Sequence, residues 1–376
     1  MSLAFLRGVG KKIKKQANYS TASAPEPFTL STYNKTKNWD GTLYYSTDEV
    51  TWNEWDGTTT LSSAEHNGEH RLYVRGVGNS YITGSDDYDK RWVLSGSNVQ
   101  WDDNIENLLD YETVAKGEHP VMAPYCFAYL FCDCTALKSA PALPATTLAQ
   151  YCYYGMFDGC LYLKTAPKLP ATIMAKYCYS HMFINCFGLE AAPELPATVL
   201  ADFCYESMFS CCHTLTVTPE LPATTLAYYC YAWMFESCAR LTSVTSLPAT
   251  NLADECYYKM FFNCKKLTTI PELPATTLAY HCYACMFMNC TSLVTLPKLF
   301  ATELSNVCYR QMFEGCTNIK LSTTQTDEYP NEYRIPASGT GTSGRNSVLD
   351  MFTSTGGTFT GTPSINTTYY TANEVV

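Results

Sequence analysis

Apolar residues recur along the middle of the chain with a period of 26 residues. Each copy contains two cysteines eight residues apart, a Met-Phe pair between them in all but the first copy, then a leucine and a Leu-Pro-Ala-Thr segment that the last copy varies. The first cysteines of the eight copies, which define copies 1 to 8, are Cys126, Cys152, Cys178, Cys204, Cys230, Cys256, Cys282 and Cys308. A fixed period of this length is typical of repeat proteins, in which stacked copies bury faces that no copy buries alone.

Within one copy the pattern predicts three short elements. The stretch from the second cysteine through Leu163 to Pro167 predicts a strand, which the proline ends because it has no N–H for a ladder. The Thr-Thr-Leu-Ala segment predicts a second short strand or a turn. The segment that holds Met156 and Phe157 between two cysteines predicts a short helix or 3-10 turn with one buried face.

The segment before the repeats has the pattern of a separate β module. Residues 26–100 contain strand-like runs such as Thr42–Ser46 and Arg71–Val77, divided by turn signals such as Asn67-Gly68. These features resemble an immunoglobulin-like sandwich. Residues 101–122 are expected to link it to copy 1 and to cap that copy.

The segment after the repeats changes composition. Residues 322–350 are rich in Thr, Ser and Gly, which predicts a linker, and the alternation from Phe352 to Tyr370 predicts a small β cap. The predicted fold class is therefore mainly β with short helices. A solenoid of eight 26-residue repeats over 123–321 follows a small β-sandwich and is closed by a C-terminal β cap within 322–376.

Charge is divided unevenly along the chain. Residues 1–25 carry +5 and the remainder −15, within a net charge of −10. The basic residues of this N-terminal arm are Arg7, Lys11, Lys12, Lys14 and Lys15. Three interpretations of the arm stand side by side: docking on an acidic virion or partner surface, lying on a membrane, or disorder. Gly8 and Gly10 weaken a helix and with it the membrane interpretation.

Several classes of protein are disfavoured by composition. An acidic body argues against nucleic acid as the main ligand, because phosphate contacts need a basic face. No run of about 18 apolar residues is present. The N-terminus does not have the pattern of a secretory signal, because its apolar residues precede the lysines and are interrupted by Arg7.

Nineteen cysteines call for an explanation. The preferred one is a ladder of buried, reduced thiols that act as small apolar side chains. Disulfides between neighbouring copies and a metal site are the alternatives, although the spacing of typical zinc ligands is missing. Cys132, Cys211 and Cys285 fall outside the two cysteine columns and are expected to be more accessible.

Other titratable residues give weaker signals. His181, His213 and His281 occupy different columns of the repeat, so we expect surface histidines rather than a site. Asp86, Asp87 and Asp89 are consistent with a calcium clamp or, preferably, a solvated turn. No catalytic residue, metal site or cofactor is predicted.

Three variable columns of the repeat are candidates for a recognition surface. No packing rule is evident in them, so they are expected to face solvent, and exposed aromatic residues are common anchors of protein contacts and platforms for sugars. The alternative is neutral variation on a solvated face. The candidate binding residues are Tyr129, Tyr154, His181, Tyr228, Trp233, Tyr258, Lys259, Tyr280 and Arg310.

The repeat motif, with its tyrosines, paired cysteines and Leu-Pro-Ala-Thr-Thr-Leu-Ala segment over about 120–321, resembles the BspA-like leucine-rich repeats. It is most similar to the Tyr- and Cys-rich type of gut Bacteroidetes and their tailed, crAss-like phages. The resemblance implies a curved right-handed solenoid used for adhesion. Bacterial members usually carry an export signal, and the lack of its pattern here favours a virion protein.

The function expected from the sequence is that of a non-enzymatic phage structural protein, such as a fibre, spike or surface decoration. Assembled in host cytoplasm, it would contact other virion proteins through its N-terminal region and a bacterial glycan or outer-membrane protein through the repeats. Homotrimers are common for fibres, but no heptads demand one. The rival is a bacterial surface or secreted adhesin that binds host protein or glycan. A polysaccharide-cleaving enzyme is a third hypothesis.

Overall fold

The computed structural model describes residues 18–335 and 344–376, and this part of the chain is mainly β. It contains one α-helix, α1 (Asn107–Ala115), and one 3-10 turn at Tyr88–Lys90. The strands are β1 (Ser20–Ala24), β2 (Thr29–Thr32), β3 (Thr42–Ser46), β4 (Asn53–Trp55), β5 (Leu61–Ser62), β6 (Ala64–His66), β7 (Glu69–Val77), β8 (Trp92–Ser95), β9 (Val99–Asp102), β10 (Leu137–Ser139), β11 (Thr295–Leu296), β12 (Lys320–Ser322), β13 (Asn331–Ile335), β14 (Gly356–Gly357), β15 (Thr367–Thr371) and β16 (Glu374–Val375).

The N-terminal strands form two sheets. The larger has the order β10-β9-β1-β7-β3-β4, with β6 also paired to β7, and the smaller has the order β5-β2-β8. Trp55 of the larger sheet meets Trp92 of the smaller at a ring-centroid distance of 5.4 Å, and both are buried. The turn predicted at Asn67-Gly68 joins β6 to β7, with positive φ at both residues.

The sheet begins earlier than the sequence suggested. Strand β1 lies within the predicted arm of residues 1–25, yet it pairs with β7 and β9 at the centre of the larger sheet. All five of its residues are buried. They are Ser, Thr and Ala, so no alternation of large apolar and polar side chains marked them as a strand. The five basic residues of the arm lie outside the described residues.

Successive copies of the repeat stack through backbone hydrogen bonds. In copy 1 the Tyr129 N–H donates to the carbonyl of Tyr154 in copy 2 at 2.7 Å, whereas the Leu130 N–H donates to the Phe127 carbonyl three residues back at 3.2 Å. This alternation runs from Tyr125 to Cys134 and recurs in the later copies. We call this segment of each copy the turn ribbon.

The turn ribbon is neither the α-helix nor the 3-10 helix that its Met-Phe spacing predicted. Every fourth residue is left-handed, as at Tyr125, Tyr129 and Asp133, whose φ values are 59°, 58° and 58°. A helix would direct every N–H along its own axis. Here alternate N–H groups point to the next copy, so the ribbon is a series of overlapping turns. The predicted strands of the copies are short as well: apart from β10, β11 and β12, they are single parallel bridges such as Thr165 to Ala191.

Aromatic side chains form two ladders inside the stack. Phe131 of copy 1 and the phenylalanines of the later Met-Phe pairs stack with centroid distances of 5.5–5.8 Å, ending at Phe352. A second ladder begins at Phe127 and continues through tyrosines to Tyr309 at 5.7–6.0 Å. Both are buried, so the copies share one continuous core.

Two ladder tyrosines, Tyr153 and Tyr179, carry a buried hydroxyl without a hydrogen-bond partner among the described residues. Tyr179 is 1% exposed and its oxygen has no hydrogen-bond partner among the described residues, while Phe127 occupies the same column in copy 1. A buried hydroxyl without a partner costs roughly 1–3 kcal/mol. We expect Tyr179→Phe to raise the free energy of unfolding by about 1 kcal/mol, measured by urea denaturation. Tyr205→Phe is the control because its hydroxyl contacts Met174 Sδ at 4.0 Å, and a loss of stability in Tyr179→Phe would contradict the argument.

The cysteine columns are buried, as the thiol ladder requires, and all nineteen cysteines are free. In copies 2 to 8 the second cysteine donates its thiol to the carbonyl of the preceding copy's ladder phenylalanine at 3.0–3.2 Å. Burial raises the pKa of Cys264 to about 12, which keeps the donating proton in place. The expectation of greater access was wrong for Cys132 and Cys285, which are 2% and 5% exposed, whereas Cys211 is half-buried.

Both ends of the stack are covered. At the N-terminal end β9 pairs with β10 of copy 1, and α1 packs on β7. At the C-terminal end residues 345–353 form a ninth turn ribbon, which accepts hydrogen bonds from copy 8, and β12 to β15 add a four-stranded sheet. The predicted linker at 322–350 therefore holds the last residue of β12, all of β13 and the first part of this ninth ribbon. The Met351-Phe352 pair, which repeats the Met-Phe motif of the copies, was the sequence signal for this ninth ribbon.

Candidate functional site

Two adjacent columns of the turn ribbon carry most of the predicted binding residues. We call the surface that they form the turn face. Copy by copy, the two columns read Ala128-Tyr129, Tyr154-Gly155, Ser180-His181, Glu206-Ser207, Ala232-Trp233, Tyr258-Lys259, Ala284-Cys285 and Arg310-Gln311. The second residue of each pair is left-handed, with φ between 53° and 61°. In copies 1 to 5 the small and the large residue exchange places from each copy to the next.

This alternation is a packing rule, so the expectation that the columns are unconstrained and face solvent was wrong. The Tyr129 ring covers Gly155, where an added Cβ would lie 2.5 Å from its Cε1 atom. The same ring meets Tyr154 edge-on at 5.2 Å, and Tyr154 in turn meets His181 at 5.2 Å. Ala128, Ser180 and Ala232 are buried beneath the larger side chains.

Gly155→Ala tests this packing. The substitution places a Cβ against Tyr129 at a φ of +56°. We expect the free energy of unfolding to fall by roughly 1–2 kcal/mol, because the left-handed conformation disfavours a side chain and the ring must move. In a Tyr129→Ala background the cost is expected to shrink, which a double-mutant cycle measures. Equal costs in both backgrounds would contradict the packing rule, and Ser207→Ala, which keeps a Cβ at the same column, is the control.

The predicted binding residues differ in exposure. Tyr228 and Tyr280 are 39% and 40% exposed. The other seven are half-buried: Tyr129, Tyr154, His181, Trp233, Tyr258, Lys259 and Arg310. His181 is therefore not the surface residue that was expected, and burial lowers its pKa to about 4. The exposed turn at Asp86, Asp87 and Asp89 is capped by Asp87, whose carboxylate accepts the Asp89 N–H at 3.0 Å.

The structure gathers the candidates into two clusters. Tyr129, Tyr154 and His181 form the first, in copies 1 to 3. The second is larger and lies in copies 5 to 8: Lys259 Nζ lies 4.1 Å from the Trp233 ring centroid, and Tyr258 packs edge-on against the same ring. Tyr228 belongs to neither cluster and instead contacts Phe203 and Tyr229.

A cavity lies where the size alternation breaks down. Copy 6 has Lys259 at a position where a small residue is due, and copy 7 has two small residues, Ala284 and Cys285. The resulting depression has a volume of about 320 Å³. Tyr258 and Lys259 line one side and Arg310 the other, so three of the predicted binding residues meet here.

The charged side chains that line the cavity are basic. Within the described part of the chain, Lys259, Arg310 and the titratable His281 line it and no carboxylate does. Neither Lys259 nor Arg310 takes part in an ion pair of the described residues. The Arg310 Nε is buried and has no hydrogen-bond partner among these residues.

The neighbouring groups complete the electrostatics of this cavity. Burial raises the pKa of Cys285 at its floor to about 11, and the two basic side chains oppose this shift. His281 Nδ1 lies 3.7 Å from a Glu255 oxygen, and Gln311 donates to Glu314 at 2.6 Å. The carboxylates of Glu255 and Glu314 adjoin the cavity but do not line it.

Sequence reasoning missed part of this lining. Phe262 and Met288 contribute apolar wall, and they occupy the column directly after the Met-Phe pair. That column also varies between copies, from Asp158 to Glu314, and its variation was an available signal. The conformation of the turn ribbon brings this column close to Lys259 and Arg310.

No group of three or more His, Cys, Asp or Glu side chains is placed to hold a metal ion in residues 18–335 and 344–376. Over the same residues, no helix has the length and apolar character needed to cross a membrane. Comparison with known proteins finds no matching family model, no matching curated protein and no matching solved structure.

Proposed function

We propose that this chain is a non-enzymatic phage structural protein that is displayed on the particle and binds the bacterial surface through its turn face. The observation that carries the proposal is the basic, partly aromatic cavity of copies 6 to 8, where the regular packing of the turn face is interrupted. A depression lined by a few polar groups among apolar ones is the usual form of a ligand site. The partner is a surface glycan or an outer-membrane protein.

The proposed architecture is a leucine-rich-repeat solenoid of the BspA-like type. The hydrogen bonds and aromatic ladders between successive copies support it, and so does the resemblance of the repeat motif to Tyr- and Cys-rich repeats of gut Bacteroidetes and their tailed phages. A stack of this kind presents equivalent columns on one face, so neighbouring copies combine their side chains into one surface.

The proposed attachment to the particle uses the N-terminal region. Its support is the charge of +5 on residues 1–25, which suits an acidic surface of another virion protein. The sandwich follows directly, so it would hold the stack away from the particle.

Mass spectrometry of gradient-purified phage particles from the source culture tests the proposal first. The full-length chain is expected at stoichiometric copy number, and truncation of residues 1–17 is expected to abolish its incorporation. Recovery from the bacterial envelope or medium instead of particles would favour the rival function, a bacterial adhesin. Release of oligosaccharides from host polysaccharide by the purified chain would contradict a non-enzymatic role.

A further inference from the structure

We infer that the cavity of copies 6 to 8 binds a carboxylate-bearing sugar unit of an acidic polysaccharide. This inference rests on the proposed binding function and specifies the chemical class of its ligand. The cavity, which Tyr258, Lys259, Phe262, Met288, Arg310 and Gln311 help to line, is separate from the first cluster in copies 1 to 3.

An anionic group is indicated by the charges. Arg310 and Lys259 face one small space without an ion-pair partner among the described residues, on a chain whose net charge is −10. The buried Arg310 Nε has an unused hydrogen-bond donor. A guanidinium binds a planar carboxylate through two parallel hydrogen bonds, which satisfies donors that water reaches poorly.

Aromatic side chains hold Lys259 in position to bind an anion. Its ammonium lies 4.1 Å from the Trp233 ring centroid, 5.2 Å from that of Tyr258 and 5.3 Å from that of Phe262. Three rings therefore restrict the lysine without neutralising its charge. A ligand anion meets a positioned cation, and less conformational entropy is lost on binding.

A sugar ring fits the remainder of the lining. Phe262 and Met288 give apolar surface for the C–H face of a pyranose, and the Gln311 amide offers polar atoms to its hydroxyls. The volume of about 320 Å³ suits one unit of a chain rather than a folded protein element. Tyr280, which is 40% exposed and stacks on His281 at 4.3 Å, extends the surface beside the cavity toward a neighbouring unit.

Isothermal titration of the full chain tests the inference with three probes: trigalacturonate, its fully methyl-esterified form and glucose 6-phosphate. We expect trigalacturonate to bind and esterification to weaken binding at least about tenfold, because the ester keeps the sugar shape and removes the charge. Arg310→Gln is expected to give a similar loss, and Arg310→Lys a smaller one. Arg240→Gln, which removes an exposed arginine in copy 5, is the matched control and should bind normally.

Three outcomes overturn the inference: no binding of trigalacturonate, equal binding of its ester, or full binding by Arg310→Gln. Tighter, Arg310-dependent binding of glucose 6-phosphate would replace the carboxylate by a phosphate and also overturn it. Attachment of the full chain to host cells is measured in parallel. Attachment that is unaffected by Arg310→Gln and by trigalacturonate would reject the sugar site yet leave the proposed function standing. Trigalacturonate binding by a chain that is not incorporated into virions would reject only the proposed function.

Discussion

Phe235→Ala is expected to lower the free energy of unfolding by about 3–5 kcal/mol, the range for removing a buried aromatic ring. Phe235 is fully buried, and its ring stacks at 5.5 Å on Phe209 and at 5.7 Å on Phe261. Its carbonyl accepts the Cys264 thiol at 3.0 Å. Truncation opens a cavity in the middle of the ladder, and the copies on both sides are held by hydrogen bonds that prevent them from closing it.

Guanidinium denaturation followed by circular dichroism and tryptophan fluorescence measures this effect. Phe300→Ala is the matched control, since that ring is 38% exposed and its loss is expected to change stability by less than about 0.5 kcal/mol. A cost below about 1 kcal/mol for Phe235→Ala would mean that the stack closes over the gap, contrary to a rigid ladder. Two separate transitions would show that copies on either side of the gap unfold independently.

His181→Gln is expected to remove a contribution that destabilises the protein in acid. Burial lowers the pKa of His181 from 6.5 to about 4, beside Tyr154 and with Ser180 Oγ 2.7 Å from its Nδ1. Between pH 6.5 and 4 the unfolded chain binds this proton and the folded chain does not, so acidification favours unfolding. The wild type should lose about 3 kcal/mol relative to His181→Gln between neutral pH and pH 4.

Asp158 has the opposite effect on the pH dependence of stability, so its substitution can be compared with His181→Gln. Burial raises its pKa from 3.8 to about 6, so the folded chain binds a proton that the unfolded chain still lacks, and falling pH favours folding in this range. Asp158→Asn should therefore make the protein more sensitive to acid, whereas His181→Gln makes it less so. Urea unfolding between pH 4 and 8 measures both. Parallel pH profiles for wild type and His181→Gln would mean that His181 ionises as it does in water.

The sequence by itself determined the period of the chain and its mainly β character. Cysteine, methionine, phenylalanine and leucine recur every 26 residues, and each of these columns is buried because stacking copies removes the same face from water in each. The sequence also predicted the turn at Asn67-Gly68, because both residues accept a positive φ, and this turn joins two strands. Strand β3 was predicted at its observed bounds, Thr42–Ser46.

The conformation of the turn ribbon and the cavity of copies 6 to 8 were decided only by the tertiary structure. Spacing between Cys152 and Cys160 fits a helix, but hydrogen bonds to the neighbouring copy stabilise left-handed residues that no local preference of Tyr, His or Trp would select. The small Ala284 and Cys285 form a cavity only because copies 6 and 8 place larger side chains on both sides. The sequence shows which residues vary, whereas packing between copies fixes which of them meet.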